Sequence, residues 1–383
     1  MEDKMEIPWV IEEQTKVKHQ LLKNYINPWM AILFSQQEKY KFPQKLLYFD
    51  GFSGPGIYFE DDKKGTTCFG SPLIVADIAN KYIEANLKRK IIIICVDKEK
   101  KCVDMLSHKL KEINTHNQYW VAYHAEFDEA VNILLEQIEK KKLNTPPMFF
   151  FIDPFGYSGF PIKTLKRVLE YPLAELFINF MIYDIVRFCE EIQFKAKMAE
   201  LFGCKEFSNV NACQNSEEKQ SYLINLYCKQ LRELAGASHI MPFRVNTPSQ
   251  GTRPKYYLIH ASKNIKALRV MKDNMSKISG LPYGFEAIGI SPQISLFEDP
   301  NKISLRDRIK KYCKDKYPST TDYTEIEEWA YANTNGVSKT IKEALLALEK
   351  EELIKVERKS GQRITTVTEG AKITFSGKLR YAL

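Results

Sequence analysis

The stretch "YFDGFSGPG" (48–56) decides the fold of this 383-residue chain. An apolar run ends in Asp50, and three glycines and one proline follow within the next six residues. Glycine and proline form turns in many contexts. Glycines that follow a strand can also let a ligand pass over bare backbone. The segments around this stretch are needed to choose between the two interpretations.

Short apolar runs alternate with helical segments from residue 45 onward. The predicted strands are 45–50, 91–97, 119–124, 148–153 and 173–180. The predicted helices start at Ser71–Pro72 or cover 98–113, 127–142 and 161–170. Strands that are apolar on both faces and alternate with helices indicate βαβ units and a buried parallel sheet. Two later runs, 240–246 and 255–261, predict an antiparallel pair that closes this sheet, so the fold class is α/β and Rossmann-like.

Composition changes along the chain predict four segments. They are an N-terminal helical segment that packs on the core, the α/β domain, a Gly-, Pro- and Ser-rich linker, and a small C-terminal domain: 1–44, 45–280, 281–302 and 303–383. The last segment predicts three helices followed by two short strands around a turn: 304–315, 323–333, 338–350 and 353–368. Three helices and a β-wing describe a winged helix whose third helix is the recognition type.

Composition and cysteine spacing exclude several classes of protein. Hydrophobic residues make up 44% and aromatic residues 12%, which indicates a globular chain. The longest apolar run, 91–96, is too short to cross a bilayer, and the N-terminus lacks the regions of a signal peptide. Eight cysteines without CxxC or paired His spacing predict free thiols in a reducing cytoplasm and no metal site. A net charge of +8 favours a polyanionic partner, although a Lys-rich genome gives the same bias.

The glycine-rich stretch has the form DxFxGxG, with Asp50, Phe52, Gly54 and Gly56 at the fixed positions. This form is typical of class I methyltransferases that use S-adenosyl-L-methionine (SAM), where the acid faces the cationic, amino-bearing end of the cofactor. Dehydrogenases instead place their glycines against a pyrophosphate, which an acid would repel. The sign of the charge therefore favours SAM.

Acids also follow the next two predicted strands. Asp97 is placed to accept hydrogen bonds from ribose hydroxyls, and Glu126, or Asp128 as an alternative, to lie near the adenine amine. Each acid could instead cap the helix that follows it. Three acids at successive strand ends favour the ligand interpretation, because an open parallel sheet binds ligands along that edge. Before the next helix a further loop intervenes, and Ser71 is expected to cap that helix with Pro72 at its first position.

The fourth strand leads into Asp153, Pro154, Phe155, Gly156 and Tyr157. Methyltransferases that act on nucleobase amines carry (D/N/S)PP(Y/F/W) here: the side chain and the proline carbonyl accept hydrogen bonds from the amine, and the aromatic residue stacks on the base. This sequence departs from that motif at its third and fourth positions. The alternative is a DP turn followed by core aromatic residues.

The C-terminal segment carries most of the excess positive charge, with 17 Lys and Arg against 12 Asp and Glu in 301–383. The third helix and the wing contribute five candidate nucleic-acid contacts: Lys339, Lys342, Arg358, Lys359 and Arg363. A winged helix can equally dock on protein, and the acids of its second helix would repel phosphate.

Four segments together resemble the three-Cys-motif partner (TcmP) family over nearly the whole chain. They are "YFDGFSGPGIY" with "GSPLIV", "FFFIDPFGYSG", "YYLIHASKN", and "YTEIEEWAYANT" with "IKEALLALEKEELIKV". The resemblance implies a class I methyltransferase fold, supports Asp50, Gly54, Gly56, Asp97 and Asp153 as site positions, and implies a bacterial or phage gene pair. The partner it implies is a radical-SAM-like protein with a three-Cys motif.

Two hypotheses for function follow. The first is a SAM-dependent methyltransferase that acts on an exocyclic amine of DNA or RNA. The alternative is a methyltransferase-fold protein that has lost methyl transfer and serves as a nucleic-acid-binding partner subunit. A small-molecule methyltransferase is a third and weaker hypothesis, because it leaves the C-terminal domain without a function.

Overall fold

The structure is a computed structural model that describes residues 7–113, 118–246, 254–278, 285–287, 304–316, 319–334, 336–361 and 363–376. The chain divides into two compact units, Met1–Glu286 and Ala287–Leu383. Much of the predicted linker lies outside the described residues. One part of it was predicted wrongly, because Phe285–Ala287 forms a strand of the central sheet.

The described residues of the first unit form an eight-stranded sheet with helices around it. Its strands are β1 (Lys45–Asp50), β4 (Lys90–Asp97), β5 (Gln118–His124), β6 (Met148–Ile152), β7 (Ala174–Phe180), β8 (His239–Asn246), β9 (Pro254–Ser262) and β10 (Phe285–Ala287). β6 and β7 are buried along their whole length. Burial on both faces explains why these strands are continuous apolar runs instead of alternating ones.

The strand order is β10-β8-β9-β7-β6-β1-β4-β5. β1 pairs in parallel with β4 and β6, and β5 and β7 extend the parallel part on either side. β9 runs antiparallel between β7 and β8. The predicted mostly parallel sheet with an antiparallel edge is confirmed, and this order is that of the class I methyltransferase fold. The order reverses at β1, where an open sheet binds its ligands.

Helices connect these strands, and the first four in the following list were predicted from the sequence. The helices are α2 (Ser71–Ala85), α3 (Lys100–Ile113), α4 (Phe127–Lys140), α5 (Ile162–Leu169), α6 (Ile182–Phe188), α7 (Lys195–Phe202), α8 (Ser216–Glu233) and α9 (Ile265–Ile278). The loop before α2 contains a small antiparallel hairpin of β2 (Ile57–Phe59) and β3 (Thr67–Phe69). Among the described helices, none is long and apolar enough to cross a membrane.

The start of α2 differs from the prediction. Gly70, and not Ser71, occupies the cap position, and Ser71 is the first helical residue. A Cβ atom at Gly70 would lie 2.9 Å from the Tyr58 ring and 3.0 Å from the Gly56 carbonyl oxygen. The Gly70 amide donates to that carbonyl at 2.7 Å. Only glycine fits this close approach, and it leaves the Ser71 hydroxyl free to hydrogen-bond elsewhere.

The N-terminal segment forms one long helix, α1 (Glu13–Lys39), as predicted. Its buried stripe includes Leu22, Tyr25, Trp29 and also Lys18. Tyr25 and Trp29 pack on Phe149 of β6, which places α1 on one face of the sheet. This position brings α1 residues close to the carboxyl edge of the parallel strands.

The described residues of the second unit form three helices and a three-stranded antiparallel sheet in the order β11-β13-β12. Its elements are α10 (Leu305–Lys316), β11 (Thr320–Asp322), α11 (Tyr323–Asn333), α12 (Ser338–Lys350), β12 (Ile354–Glu357) and β13 (Lys372–Phe375). The second wing strand, predicted within 353–368, is wrong: the strand lies at 372–375, where it pairs with both β11 and β12. The winged-helix interpretation stays a prediction.

Candidate functional site

The glycine-rich loop lies across the ends of three adjacent strands. The Gly51 amide donates to the Phe151 carbonyl and the Ser53 amide to the Val96 carbonyl, both at 2.9 Å. Gly54 and Gly56 have φ values of +58° and +78°, which side-chain-bearing residues rarely adopt. The turn itself therefore requires these two glycines, whatever lies above them.

Asp50 ends β1 and is fully buried. The Tyr48 hydroxyl donates to its Oδ2 atom at 2.8 Å, whereas Oδ1 has no hydrogen-bond partner among the described residues. Burial raises the pKa of Asp50 to about 7, although hydrogen bonds from Ser71 and Tyr48 oppose the increase. A buried carboxyl with one unsatisfied oxygen is poised to accept a cationic donor.

Asp97 ends β4 and holds the glycine-rich loop in place. Its Oδ2 atom accepts from the Gly54 amide and its Oδ1 atom from the Glu99 amide, each at 2.8 Å. Burial raises the pKa of this carboxyl. The bond to Glu99 closes a turn before α3 and does not cap the helix, because the Glu99 carbonyl accepts the first backbone bonds of α3. Each carboxylate oxygen keeps a second lone pair, so a diol contact is compatible with it.

Glu126 and Asp128 differ in accessibility. Glu126 is exposed at the cap position of α4, where its side chain makes no capping bond. The Thr164 hydroxyl donates to Asp128. Both acids line a cleft of about 170 Å³ next to the 157–161 loop. Glu126 is therefore the acid available to a ligand.

Phe52 is predicted at the cofactor site but belongs to an aromatic cluster. Its ring stacks on Phe127 at 5.7 Å between centroids and meets Phe160 edge-on at 6.5 Å. This packing joins the glycine-rich loop to Phe127, the first residue of α4. The Phe52 side chain remains half-buried, so part of the ring faces outward.

Asp153 follows β6 and forms contacts that the sequence analysis missed. The Lys18 ammonium of α1 donates to both carboxylate oxygens at 2.6 Å, and the Asn179 amide donates to Oδ1 at 2.6 Å. The Lys18 and Asp153 side chains are only 9% and 14% exposed. A lysine on the apolar stripe of a helix was the signal that could have identified this pair.

The aromatic residues of the 153–157 motif separate into two environments. Pro154 is buried, whereas Phe155 is 78% exposed and meets Trp9 edge-on at 5.3 Å. Tyr157 is buried against Phe188 and Phe194, at 5.4 and 5.9 Å. Tyr157 was therefore predicted wrongly as a base-stacking residue, and Phe155 alone of the two presents a free face.

Tyr58 of the hairpin lies near three of the strand-end acids, Asp50, Asp97 and Asp153. Its pKa is raised, chiefly by burial and further by the negative charges of Asp153, Asp50 and Asp97. The Tyr58 hydroxyl lies 3.2 Å from the position that a Cβ atom of Gly54 would take. One phenol therefore lies within the electrostatic range of all three strand-end carboxyls.

His19 lies beside this group, with its ring centroid 5.7 Å from that of Tyr58. Burial, reinforced by the Lys18 charge, lowers the pKa of His19 to about 4 despite the opposing effect of Asp153. The imidazole is therefore neutral at physiological pH. Its Nδ1 atom is buried and has no partner in the part of the chain that the structure describes.

The basic residues of the second unit are not equivalent. Lys339, Lys359 and Arg363 are exposed and Lys342 is half-buried. Arg358 instead forms a two-fold ion pair with Glu349 at 2.8 and 2.6 Å, and its Nε donates to the Thr366 carbonyl at 2.8 Å. Arg358 was thus predicted wrongly as a phosphate contact, because it ties α12 to the loop after β12.

No group of His, Cys, Asp and Glu side chains suited to a metal ion is present among the described residues. All eight cysteines are free thiols.

No family model and no curated protein matches this sequence. Among solved structures, protein LPL1258 from Legionella pneumophila is similar at 12% identity and a TM-score of 0.39, covering 70% of this chain and 96% of its own. An rRNA methylase from Streptococcus thermophilus is similar at 9% identity and a TM-score of 0.30, and the match covers 66% of this chain and 98% of the methylase. The bifunctional kinase-methyltransferase WbdD is similar at 10% identity and a TM-score of 0.36, and the match covers 91% of this chain and 72% of WbdD. The fold assignment rests on the strand order.

Proposed function

We propose that this protein is a SAM-dependent methyltransferase that acts on nucleic acid. The observation that carries the proposal is the buried Asp50 carboxyl, with its unpartnered Oδ1, at the strand where the sheet order reverses. A carboxyl in this position needs a cationic hydrogen-bond donor, and the amino group of SAM is one. Asp97 would hold the ribose hydroxyls and Glu126 the adenine amine. SAM, when bound, supplies an electrophilic methyl group.

The acceptor would bind on the Asp153 side of the site. Asp153 Oδ1 already accepts from Lys18 and Asn179, whereas Oδ2 accepts from Lys18 only. Oδ2 therefore keeps a lone pair for an acceptor amine, and the Pro154 carbonyl would accept from the same amine. Lys18 would hold the carboxylate charged and fixed in orientation. The exposed ring of Phe155 would stack on the base.

The test of the cofactor site is calorimetry with SAM and S-adenosylhomocysteine. We expect wild type to bind both, and Asp50→Ala to weaken binding of SAM by about 100-fold, since a buried charged partner contributes roughly 3 kcal/mol. Asp62→Ala, an equal charge change at an exposed position of the hairpin loop, is the matched control. Absence of binding to wild type at high micromolar SAM would overturn the proposal.

The test of the acceptor class is transfer of a radiolabelled methyl group from SAM to total RNA and DNA. Phe155→Ala should reduce transfer, while Phe42→Ala should not. Phe42 is also an exposed aromatic residue, but it lies before the amino end of β1. Mass spectrometry of the labelled nucleosides would identify the base.

A second candidate function is a nucleic-acid-binding partner subunit without methyl transfer. The observation that favours it is the Lys18–Asp153 ion pair, because the carboxylate that should receive the acceptor amine already has a cation. The partner, implied by the TcmP resemblance alone, would be a radical-SAM-like three-Cys-motif protein. Asp153→Asn should then leave co-purification with that partner intact. Methyl transfer that is lost in this variant would count against the second candidate.

Both candidates assign nucleic-acid binding to the second unit. The cations Lys339, Lys359 and Arg363, which are exposed, and Lys342, which is half-buried, would neutralise phosphates, each contributing about −0.9 to the slope of log affinity against log salt on duplex DNA. Replacing all four with alanine should flatten that slope by about 3.6. Arg358→Ala should instead lower thermal stability, because it breaks the pair with Glu349. An unchanged slope in the fourfold variant would show that these charges are only solvated.

A further inference from the structure

Glu175 lies at the amino-edge end of β7 and is buried in a polar cluster that the proposed chemistry does not use. Three side chains meet its carboxylate. The Tyr25 hydroxyl donates to Oε2, the Trp29 indole donates to Oε1 at 3.0 Å, and His260 Nε2 lies 3.0 Å from Oε2. Tyr25 and Trp29 belong to α1, and His260 belongs to β9.

The same face of α1 carries Lys18, so the helix is fastened to the sheet at two polar points. Lys18 and Tyr25 are seven residues apart, or about 10.5 Å along a helix axis. Ile152 pairs with Ile178, which places Asp153 level with Asn179 and four residues, or about 13 Å, along the strands from Glu175. The two spans are similar, so both contacts can form at once only when α1 has one axial position.

A buried carboxylate is an unfavourable way to attach a helix to a sheet. Well-packed apolar side chains of similar volume often stabilise as much or more, because they avoid the cost of removing a charge from water. Hydrogen bonds from Tyr25 and Trp29 do, however, specify the rotation and the axial position of the helix, which apolar packing leaves looser. The Glu175 cluster therefore specifies the position of α1 on the sheet more than it stabilises the contact between them.

We propose that Glu175 is a positioning residue that fixes α1 so that the Lys18 ammonium stays on Asp153. This inference rests on the proposed function only where it predicts an effect on methyl transfer. The placement itself can be tested without any assay of methyl transfer, and the two ideas can therefore fail separately.

The test is a double-mutant cycle between Lys18 and Asp153, measured by urea unfolding in three backgrounds: wild type, Glu175→Gln and Tyr25→Phe. Glu175→Gln keeps the side-chain volume but leaves one acceptor oxygen for two α1 donors. Tyr25→Phe removes a single hydroxyl and serves if Glu175→Gln does not fold. The single variants of the cycle are Lys18→Met and Asp153→Asn.

We expect the Lys18–Asp153 coupling to change the unfolding equilibrium constant by 30-fold or more in wild type, which corresponds to about 2 kcal/mol. The coupling should fall below threefold when Glu175 or Tyr25 is changed. Thr164→Val, which breaks a buried polar contact between α5 and Asp128, is the control and should leave the coupling at its wild-type value. A coupling that stays at its wild-type value in the Glu175→Gln and Tyr25→Phe backgrounds would overturn the proposal.

If wild type transfers methyl groups, activity provides a second measurement. Lys18→Met should reduce kcat strongly in wild type but less than threefold further in the Tyr25→Phe background, because the ammonium there is already displaced. A merely structural role for Tyr25 predicts additive losses instead. Affinity for SAM should be unchanged in Tyr25→Phe, since Asp50 and Asp97 do not contact α1 through this cluster.

Discussion

Asp50 and Asp153 end adjacent parallel strands, yet their surroundings differ in charge. Asp50 is fully buried with a tyrosine hydroxyl at 2.8 Å and no cation among its hydrogen-bond partners. Asp153 is half-buried and has a lysine ammonium on both oxygens. Burial without a cation raises the pKa of Asp50 to about 7. The protein neutralises one acid internally, whereas the other has no cationic partner among the described residues.

The difference indicates which half of the site is built for a cationic ligand. Leaving a carboxyl buried and unpaired destabilises the folded chain, and such local costs concentrate at functional sites. The Asp153 side already carries its counter-ion, so its ligand is expected to be neutral, as a nucleobase amine is. Experiments that remove or exchange these charges test the contrast directly.

The largest expected effect is on stability. The pKa of Asp50 in the folded chain lies above its ordinary value of 3.8, so the folded chain binds the proton more tightly than the unfolded chain. Stability therefore falls as pH rises from about 4 to about 7, and Asp50→Asn should escape this loss. We expect the variant to gain roughly 4 kcal/mol in free energy of unfolding above pH 7, and progressively less towards pH 4. Denaturant unfolding across that range, with Asp62→Asn as control, measures the gain; a variant no more stable than wild type at pH 8 would refute it.

The opposite result is expected on the other side of the site. Lys18→Met leaves Asp153 nearly buried with only the Asn179 amide as partner, and should lower the free energy of unfolding by about 3 kcal/mol. The double variant Lys18→Met/Asp153→Asn should recover most of that loss, because no uncompensated charge remains. Equal stabilities of the single and double variants in urea would show that the pair is too well solvated to matter.

Base stacking is expected to have a smaller effect, and only on the acceptor. Phe155→Ala should weaken acceptor binding about 30-fold, or roughly 2 kcal/mol, without changing SAM affinity. Tyr157→Ala should instead lower stability, because its ring packs on Phe188 and Phe194. Titrations with acceptor and with SAM measure the two affinities of each variant, and thermal unfolding measures its stability. Together these measurements separate the roles of the two residues. Loss of both affinities in Phe155→Ala would make that ring structural as well.

The smallest effect is the pH dependence of SAM binding. Protonation of Asp50 removes the charge that the cofactor amine needs, so affinity should rise about 15-fold from pH 5.5 to pH 7 for a carboxyl that titrates near 7. His19, with a pKa of about 4, stays neutral throughout this window. Calorimetry at several pH values should give a nearly flat profile for Asp50→Asn. A flat profile in wild type would place the cofactor amine away from Asp50.

Local sequence signals predicted the sheet and the positions of its acids. Runs such as 91–97 and 148–153 are apolar on both faces, and an acid that ends such a run must lie at the carboxyl edge. Contacts between distant segments could not be predicted this way. Lys18 meets Asp153 across 135 positions of sequence. A lysine on the apolar stripe of α1 indicates a buried acidic partner, but nothing in the sequence specifies which acid it is.

The wrong predictions have the same origin. Phe155 and Tyr157 are two residues apart and equally aromatic, and only the packing of Phe188 and Phe194 decides which one is buried. The 363–368 segment has the β-branched residues of a strand, but 372–375 is the segment that pairs between β11 and β12. Arg358 was predicted as a surface cation because its partner, Glu349, lies on the preceding helix.

The two-point attachment of α1 has a consequence for the order of folding. Helix α1 finds its partners only after Asp153, Glu175 and His260 have been synthesised, and its Gln14 carbonyl accepts from Tyr256, 242 positions later. Contacts of such sequence separation form late, because loop closure must precede them. The apolar stripe of α1 is therefore expected to remain undocked through most of synthesis. Pulsed hydrogen exchange during refolding should show its amides protected after those of β1, β4 and β6.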